Sequence, residues 1–171
     1  MATPTRRGTA SPGDTPSPIA VWLRIPPPLL FAAPLVLGII VAQRWPLLHA
    51  GTLWMQALHV LGVALIVIGA SHALSSAAFF ALRHTTIVPH HRSVSLVTSG
   101  ANRWTRNPMY LGLLLVYLGV SGLFVAVWPL LLLPLPLLAI NAGIIPMEER
   151  LLEDAFGTEY LEYKARVRRW L

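Results

Sequence analysis

The chain contains no cysteine, which excludes disulfides, thiolate metal sites and a cysteine nucleophile and leaves its redox compartment open. Acid is nearly as scarce over most of its length. Apart from Asp14, every carboxylate (Glu148, Glu149, Glu153, Asp154, Glu159, Glu162) falls in one stretch near the C-terminus. No charged residue at all lies between Arg106 and Glu148. The six histidines, His49, His59, His72, His84, His90 and His91, form neither His-x-x-x-His nor His-Glu-x-x-His, so no metal is expected. Residues 1–20 hold Arg6 and Arg7 but lack the apolar core and small-residue cleavage site of a signal peptide. Rich in Pro, Ser, Thr and Gly, they read as a disordered cytoplasmic tail.

What is there is apolar. In 171 residues, 55% are hydrophobic and only 12% are charged, which points to one domain and to an integral membrane protein. The net charge of +6 does not indicate nucleic acid, because the arginines sit at the ends of apolar runs instead of clustering with aromatics on a polar surface. Membrane lipids with a negative inner surface are the more natural partner.

A helix needs about 20 apolar residues to cross a hydrocarbon core of roughly 30 Å, and four segments qualify, near 29–43, 53–82, 108–127 and 130–146. The first follows the breaker Pro26-Pro27-Pro28. The second is longer than one crossing needs and carries Gly69, Ala73 and Ala77 at four-residue spacing, a surface that lets another helix approach closely. The third starts at Pro108 and is expected to turn at Trp128-Pro129, which also offers an interfacial aromatic. In the fourth, Pro134 and Pro136 are expected to kink the helix.

Arg6, Arg7 and Arg24, then Arg83, Arg92, Arg103 and Arg106, then Lys164, Arg166, Arg168 and Arg169 place both termini and the central loop in the cytoplasm. Arg44 stands alone on the other side. Such an arrangement suits a bacterial inner membrane type of protein and puts Asn107 and Glu148 on the same rim. Beyond the hairpin, Pro146-Met147-Glu148-Glu149 reads as a helix start and Gly157 as its end. A last helix from Thr158 carries Tyr160, Tyr163, Val167 and Trp170 on one side and is expected to lie along the membrane surface as an interfacial anchor.

Each polar cluster has a plain explanation. Asn107-Pro108 is a good helix cap with proline at the first helical position, Arg106 is an ordinary positive-inside anchor, and Glu148 and Glu149 complement a helix dipole. His59 and His72, within the second span, read as neutral histidines bonded to a neighbouring helix before they read as catalytic. His90-His91 with Arg92 reads as a solvated loop. The loop pieces Thr85-Thr86-Ile87-Val88-Pro89 and Ser95-Leu96-Val97-Thr98-Ser99-Gly100 flank the same rim, where irregular backbone is tolerated and has groups free to bind a nucleoside.

Four pieces in this order resemble a known group of membrane enzymes: Leu96-Val97-Thr98-Ser99-Gly100, Arg106-Asn107-Pro108-Met109-Tyr110-Leu111-Gly112, Glu148-Glu149, and Phe156-Gly157-Thr158-Glu159-Tyr160-Leu161-Glu162-Tyr163. The chain is similar over 85–171 to the isoprenylcysteine carboxyl methyltransferase and phospholipid methyltransferase family, and residues 1–84 match only as membrane helices. The resemblance implies an all-α, polytopic membrane fold, a single domain over 21–171, in which a cytoplasmic loop and short C-terminal helices cover a cofactor site. It implies S-adenosylmethionine as cofactor, with Leu96, Val97, Gly100, Asn107, Pro108, Tyr110 and Glu148 binding it. Arg106 and Glu149 are the implied catalytic pair, Glu149 as the group that takes a proton from an amine acceptor. A sulfonium and an ammonium favour a carboxylate and an aromatic face, and the cofactor carboxylate favours Arg106 or a free helix N-terminus.

Two departures bear on the acceptor. Many members have His where this chain has Asn107, and Asn is no general base near neutral pH. Eukaryotic carboxyl methyltransferases carry an arginine about one turn before the glutamates, where this chain has Asn141, Ile144 and Ile145. The reading is therefore methyl transfer to a lipophilic or membrane-associated acceptor, a prenylcysteine-like carboxylate, a lipid amine or a thiol. Two alternatives stay open: a membrane reductase of the sterol-reductase type, which shares an Asn-Pro-x-Tyr pattern but for whose dinucleotide no Gly-x-Gly-x-x-Gly is present, and a non-catalytic membrane subunit with the same fold.

Overall fold

The computed structural model describes residues 26–49, 51–82 and 96–171. The expected tail over 1–20 and the loop pieces at 85–89 and 90–92 lie outside the described residues. Within them every regular element is helical. Helix α1 (Pro27–Arg44) begins on Pro26, where a proline-rich start is compatible with a first turn that needs no N–H donors. Helix α2 (Thr52–Leu82) is 31 residues long. After a short 3-10 turn at Gly100–Arg103, α3 runs over Pro108–Leu123. Among the described residues three helical runs, Pro27–Arg44, Thr52–Ser76 and Trp128–Phe156, are long and apolar enough to cross a membrane, and Pro108–Leu123 is a shorter apolar helix.

The hairpin differs from its sequence reading in two ways. Helix α3 stops at Leu123, four residues before the expected end, because Val125 takes a left-handed φ of 48° that no helix accommodates. Beyond it, α4 (Trp128–Leu132), α5 (Pro134–Ala139), a widened turn (Ile140–Ile144) and α6 (Ile145–Phe156) form one continuous run, so Pro146 does not start a separate helix. Pro134 and Pro136 withhold N–H donors, yet Leu133 between α4 and α5 keeps helical dihedrals and the run continues past them. Pro146 can neither donate to the carbonyl of Ala142 nor tolerate it close by. The turn just before it widens, with the Ile145 N–H reaching back five residues to Ile140 O.

Packing is set by small residues. Helices α2 and α3 run antiparallel along a seam in which Gly62 opposes Gly119 and Gly69 opposes Gly112. A Cβ on Gly69 would lie 2.6 Å from Gly112 O, and one on Gly119 would lie 2.6 Å from Gly62 O. Gly69 and Ala73 thus fulfil the expected close approach, with Gly112 as their partner, while the side chain of Ala77 is outside the description. On the other side of α3, Phe31 meets Tyr117 edge-on at 6.1 Å, and the Tyr117 hydroxyl donates to Pro129 O at 2.7 Å. Phe31, Tyr110, Tyr117, Ile140, Ile144 and Ile145 form the core that ties α1, α3 and the α5–α6 run together. His59 faces outward and His72 is half-buried, and neither ring forms a hydrogen bond among the described residues, contrary to the expected helix-to-helix bond.

Helix α7 (Thr158–Arg166) follows Gly157, whose φ of 55° ends α6 as expected. The expected surface anchor is instead inside the protein. Tyr160 is 1% and Tyr163 5% exposed, because α7 folds back against the start of α3 and carries both rings with it.

Candidate functional site

Three segments meet at one end of the helices: 102–110, 148–153 and 160–170. The first is a turn into α3. Asn107 occupies the cap position, yet its side chain caps nothing in α3. Its carboxamide donates instead to Arg169 O at 2.9 Å, and Thr105 Oγ1 donates to the same carbonyl at 3.0 Å while accepting the Asn107 N–H at 3.1 Å. The Arg106 N–H donates to Arg168 O at 3.0 Å. Residues 167–171, which follow the last helix, therefore form a strap clipped onto 105–107. The expected capping role of Asn107 is replaced by this clip, which leaves the first amides of α3 without a side-chain acceptor.

The strap is locked by charge. Glu149, 7% exposed, is bracketed by Arg106 at 3.1 Å, Lys164 at 3.5 Å and Arg169 at 2.9 Å, with Arg169 donating to both of its oxygens. Lys164 also pairs with Glu153, and Arg106 Nη1 donates to Lys164 O at 3.2 Å. Both oxygens of Glu149 are thus committed to cations. Bidentate guanidinium pairing of this kind fixes geometry as well as charge. The Arg106 Nε–H is buried with no acceptor among the described residues. Around this cluster, burial pushes the Tyr160 phenol up to about 12, with Glu149 adding to the shift. Burial also raises Tyr163, against an opposing pull from Arg106, and its neutral hydroxyl donates to Asn102 O at 2.8 Å.

Glu148 has different neighbours. It is half-buried, and its Oε1 accepts the Tyr110 hydroxyl at 2.7 Å. Among the described residues no basic side chain lies within 4 Å of it. Tyr110 is 2% exposed and locked in the core, so its hydroxyl is a fixed donor that orients the carboxylate.

The structure brings Arg106, Asn107, Pro108, Tyr110, Glu148 and Glu149 together at this end. Leu96 and Val97 are half-buried and lead into Gly100, which takes a φ of 65° at the start of the 3-10 turn. Sequence reasoning missed Thr105, Lys164 and Arg169 as parts of the same cluster. The available signal was the acid of 148–162 running directly into the bases of 164–169, a pairing that a surface-helix reading had separated. No metal-binding group of His, Asp and Glu is present among the described residues.

No curated protein and no solved structure matches the chain. A family model described as phospholipid methyltransferase matches residues 57–159, a span that takes in the α2–α3 seam, Arg106 to Tyr110, both glutamates and the start of α7. That is more than half of the 171 residues, and the chain belongs to the phospholipid methyltransferase family.

Proposed function

We propose that this protein transfers the methyl group of S-adenosylmethionine to a nucleophile on a lipophilic acceptor that reaches the site from the bilayer. The observation that carries this reading is the isolation of Glu148. It is a half-buried carboxylate held by one phenol, with no cation beside it among the described residues, while the next residue has three. Leaving a carboxylate without a counter-charge is costly unless a ligand supplies one. When bound, S-adenosylmethionine supplies an activated methyl group on a sulfonium, together with an ammonium and a carboxylate.

The chain's own residues fit that ligand. Glu148, oriented by Tyr110, provides the negative charge for a cationic group. The start of α3, left uncapped because Asn107 is turned to the strap, presents N–H groups to an anionic one. Pro108 fixes the first turn in place. Leu96, Val97 and Gly100 are assigned to the same ligand on the family pattern they share.

Arg106 and Glu149 take a positioning role in this reading. Bracketed by three cations that engage both of its oxygens, Glu149 is poorly placed to take a proton from an acceptor. Its work is to hold the strap, and through it Asn107, against the site. Excluding water and orienting the acceptor are then the main contributions to rate. The excess of basic residues at this end, with Arg44 at the other, supports placing the site on the cytoplasmic rim.

Calorimetric titration of the purified protein in detergent with S-adenosylhomocysteine tests the reading. Saturable heat is expected, and a wild-type protein that gives none would remove it.

A further inference from the structure

Asn141 is the only residue between Pro129 and Met147 whose side chain can form a conventional hydrogen bond. It lies in the widened turn of Ile140–Ile144, about 10 Å along the helix axis from Glu148 at 1.5 Å per residue. A polar side chain at such a depth is costly, and widened turns recur where helices carry function. Both observations fall on one residue.

Its bonds are specific and uncharged. Asn141 Oδ1 accepts the indole N–H of Trp170 at 3.0 Å, and Asn141 Nδ2 donates to Leu137 O at 3.0 Å. One amide proton and one lone pair remain for another partner. Trp170 packs against the core cluster that contains Tyr110, Ile144 and Ile145, and Tyr110 in turn orients Glu148. The indole is carried there by the strap, which is clipped at Arg168 and Arg169 immediately before it.

The charges of this end point elsewhere. Arg106, Lys164 and Arg169 all turn to Glu149, so among the described residues the Asn141–Trp170 pair offers hydrogen bonds without a counter-charge. An anionic head group brought to that depth would meet a carboxamide and an indole and would pay the desolvation of its charge. A neutral one would lose only hydrogen bonds that Asn141 can replace.

Building on the methyl-transfer reading above, we propose that Asn141 recognises the acceptor by an uncharged hydrogen-bonding group on an apolar chain, and that the Trp170 indole fills its place until the acceptor arrives. The strap thus has two functions: it is locked by Glu149 at the rim and senses the acceptor at depth.

Tryptophan emission of the full chain in dodecyl maltoside, titrated with oleyl alcohol and with oleate, tests this. These probes share a chain length and differ in head-group charge. The wild type should give a saturable change with oleyl alcohol and bind oleate at least about ten-fold more weakly. Trp170→Phe should abolish the emission change. Asn141→Leu should weaken the alcohol about ten-fold, and Asn141→Ala, which keeps the helix, should do the same should the leucine variant misfold. S-adenosylhomocysteine titrations of the Asn141 variants should be unchanged within about two-fold.

Equal response of the wild type to alcohol and oleate overturns the proposal without any variant, as does Asn141→Ala binding the alcohol like the wild type. Alcohol discrimination without S-adenosylhomocysteine binding would remove the methyl-transfer reading and leave a neutral-amphiphile site. S-adenosylhomocysteine binding without alcohol discrimination would remove the acceptor assignment alone.

Discussion

Glu148 and Glu149 are adjacent on α6 and chemically identical, yet their surroundings are opposite. Successive helical residues point about 100° apart, so one carboxylate turns to Tyr110 and the other to the strap. Glu149 meets Arg106, Lys164 and Arg169; Glu148 meets a phenol and no cation among the described residues. A buried carboxylate that the protein neutralises itself is a structural part. One that it leaves unneutralised is available to a ligand.

The difference is open to direct attack. The largest effect is expected from Glu149→Gln, which strands three cations near one buried position. Removing one partner of a buried ion pair costs about 3–5 kcal/mol, and the low end applies here because Lys164 and Arg169 are a third exposed. Thermal unfolding in detergent should register the loss, and limited proteolysis should show the strap cleaved early. A change as small as that of a surface substitution would mean that the clasp does not hold the strap.

Gly112→Val serves as the control that touches neither glutamate. Its Cβ would meet Gly69 O at 2.6 Å and Ala73 N at 2.7 Å, both backbone atoms that cannot move aside cheaply. Overpacking of about 2 kcal/mol is expected from unfolding midpoints. The strap should remain protected from protease in the folded fraction, which separates damage to the seam from damage to the clasp.

Glu148→Gln should behave in the opposite way to Glu149→Gln. The amide oxygen still accepts from Tyr110, so the unfolding midpoint should stay close to that of the wild type. S-adenosylhomocysteine affinity should fall by about ten-fold or more, which corresponds to ~1.4 kcal/mol. Smallest of all is Tyr110→Phe, which keeps the ring in the core and removes one hydroxyl. Loss of that hydrogen bond should cost ~1 kcal/mol and weaken the same affinity about five-fold, read in the same titration.

Much of the fold could be read from the sequence because its signals are local. Apolar runs and Gly157 at a helix end act over a few residues and appear where expected, whereas Pro27 and Pro28, read as a breaker ahead of the first helix, form its first turn. The errors share a physical cause, which is that tertiary partners redirected a local preference. Asn107 has the chemistry of a cap but its amide found Arg169 O. Tyr160 and Tyr163 have the spacing of an interfacial stripe but were folded inward by α7. Pro146 has the signature of a helix start, yet a widened turn let the helix run through it.

The candidate site was legible as a set of residues and not as a division of labour. Arg106, Asn107, Tyr110 and the two glutamates stand out as polar groups flanking an uncharged hairpin. Nothing in a sequence of adjacent glutamates says which one a strap some 20 residues onward will claim, since that depends on how α6 is rotated against α3. In the sequence Asn141 marks only the place of a missing arginine, and its bond to Trp170 spans 29 positions with no periodic signal to announce it.

Glu148 kept free for a cationic ligand, with Glu149 holding the strap, is the central claim. Calorimetric titration of Glu148→Gln with S-adenosylhomocysteine, under conditions where its unfolding midpoint matches the wild type, tests that claim most directly. The account predicts an affinity lower by about ten-fold or more in an otherwise intact protein. An unchanged affinity would contradict it.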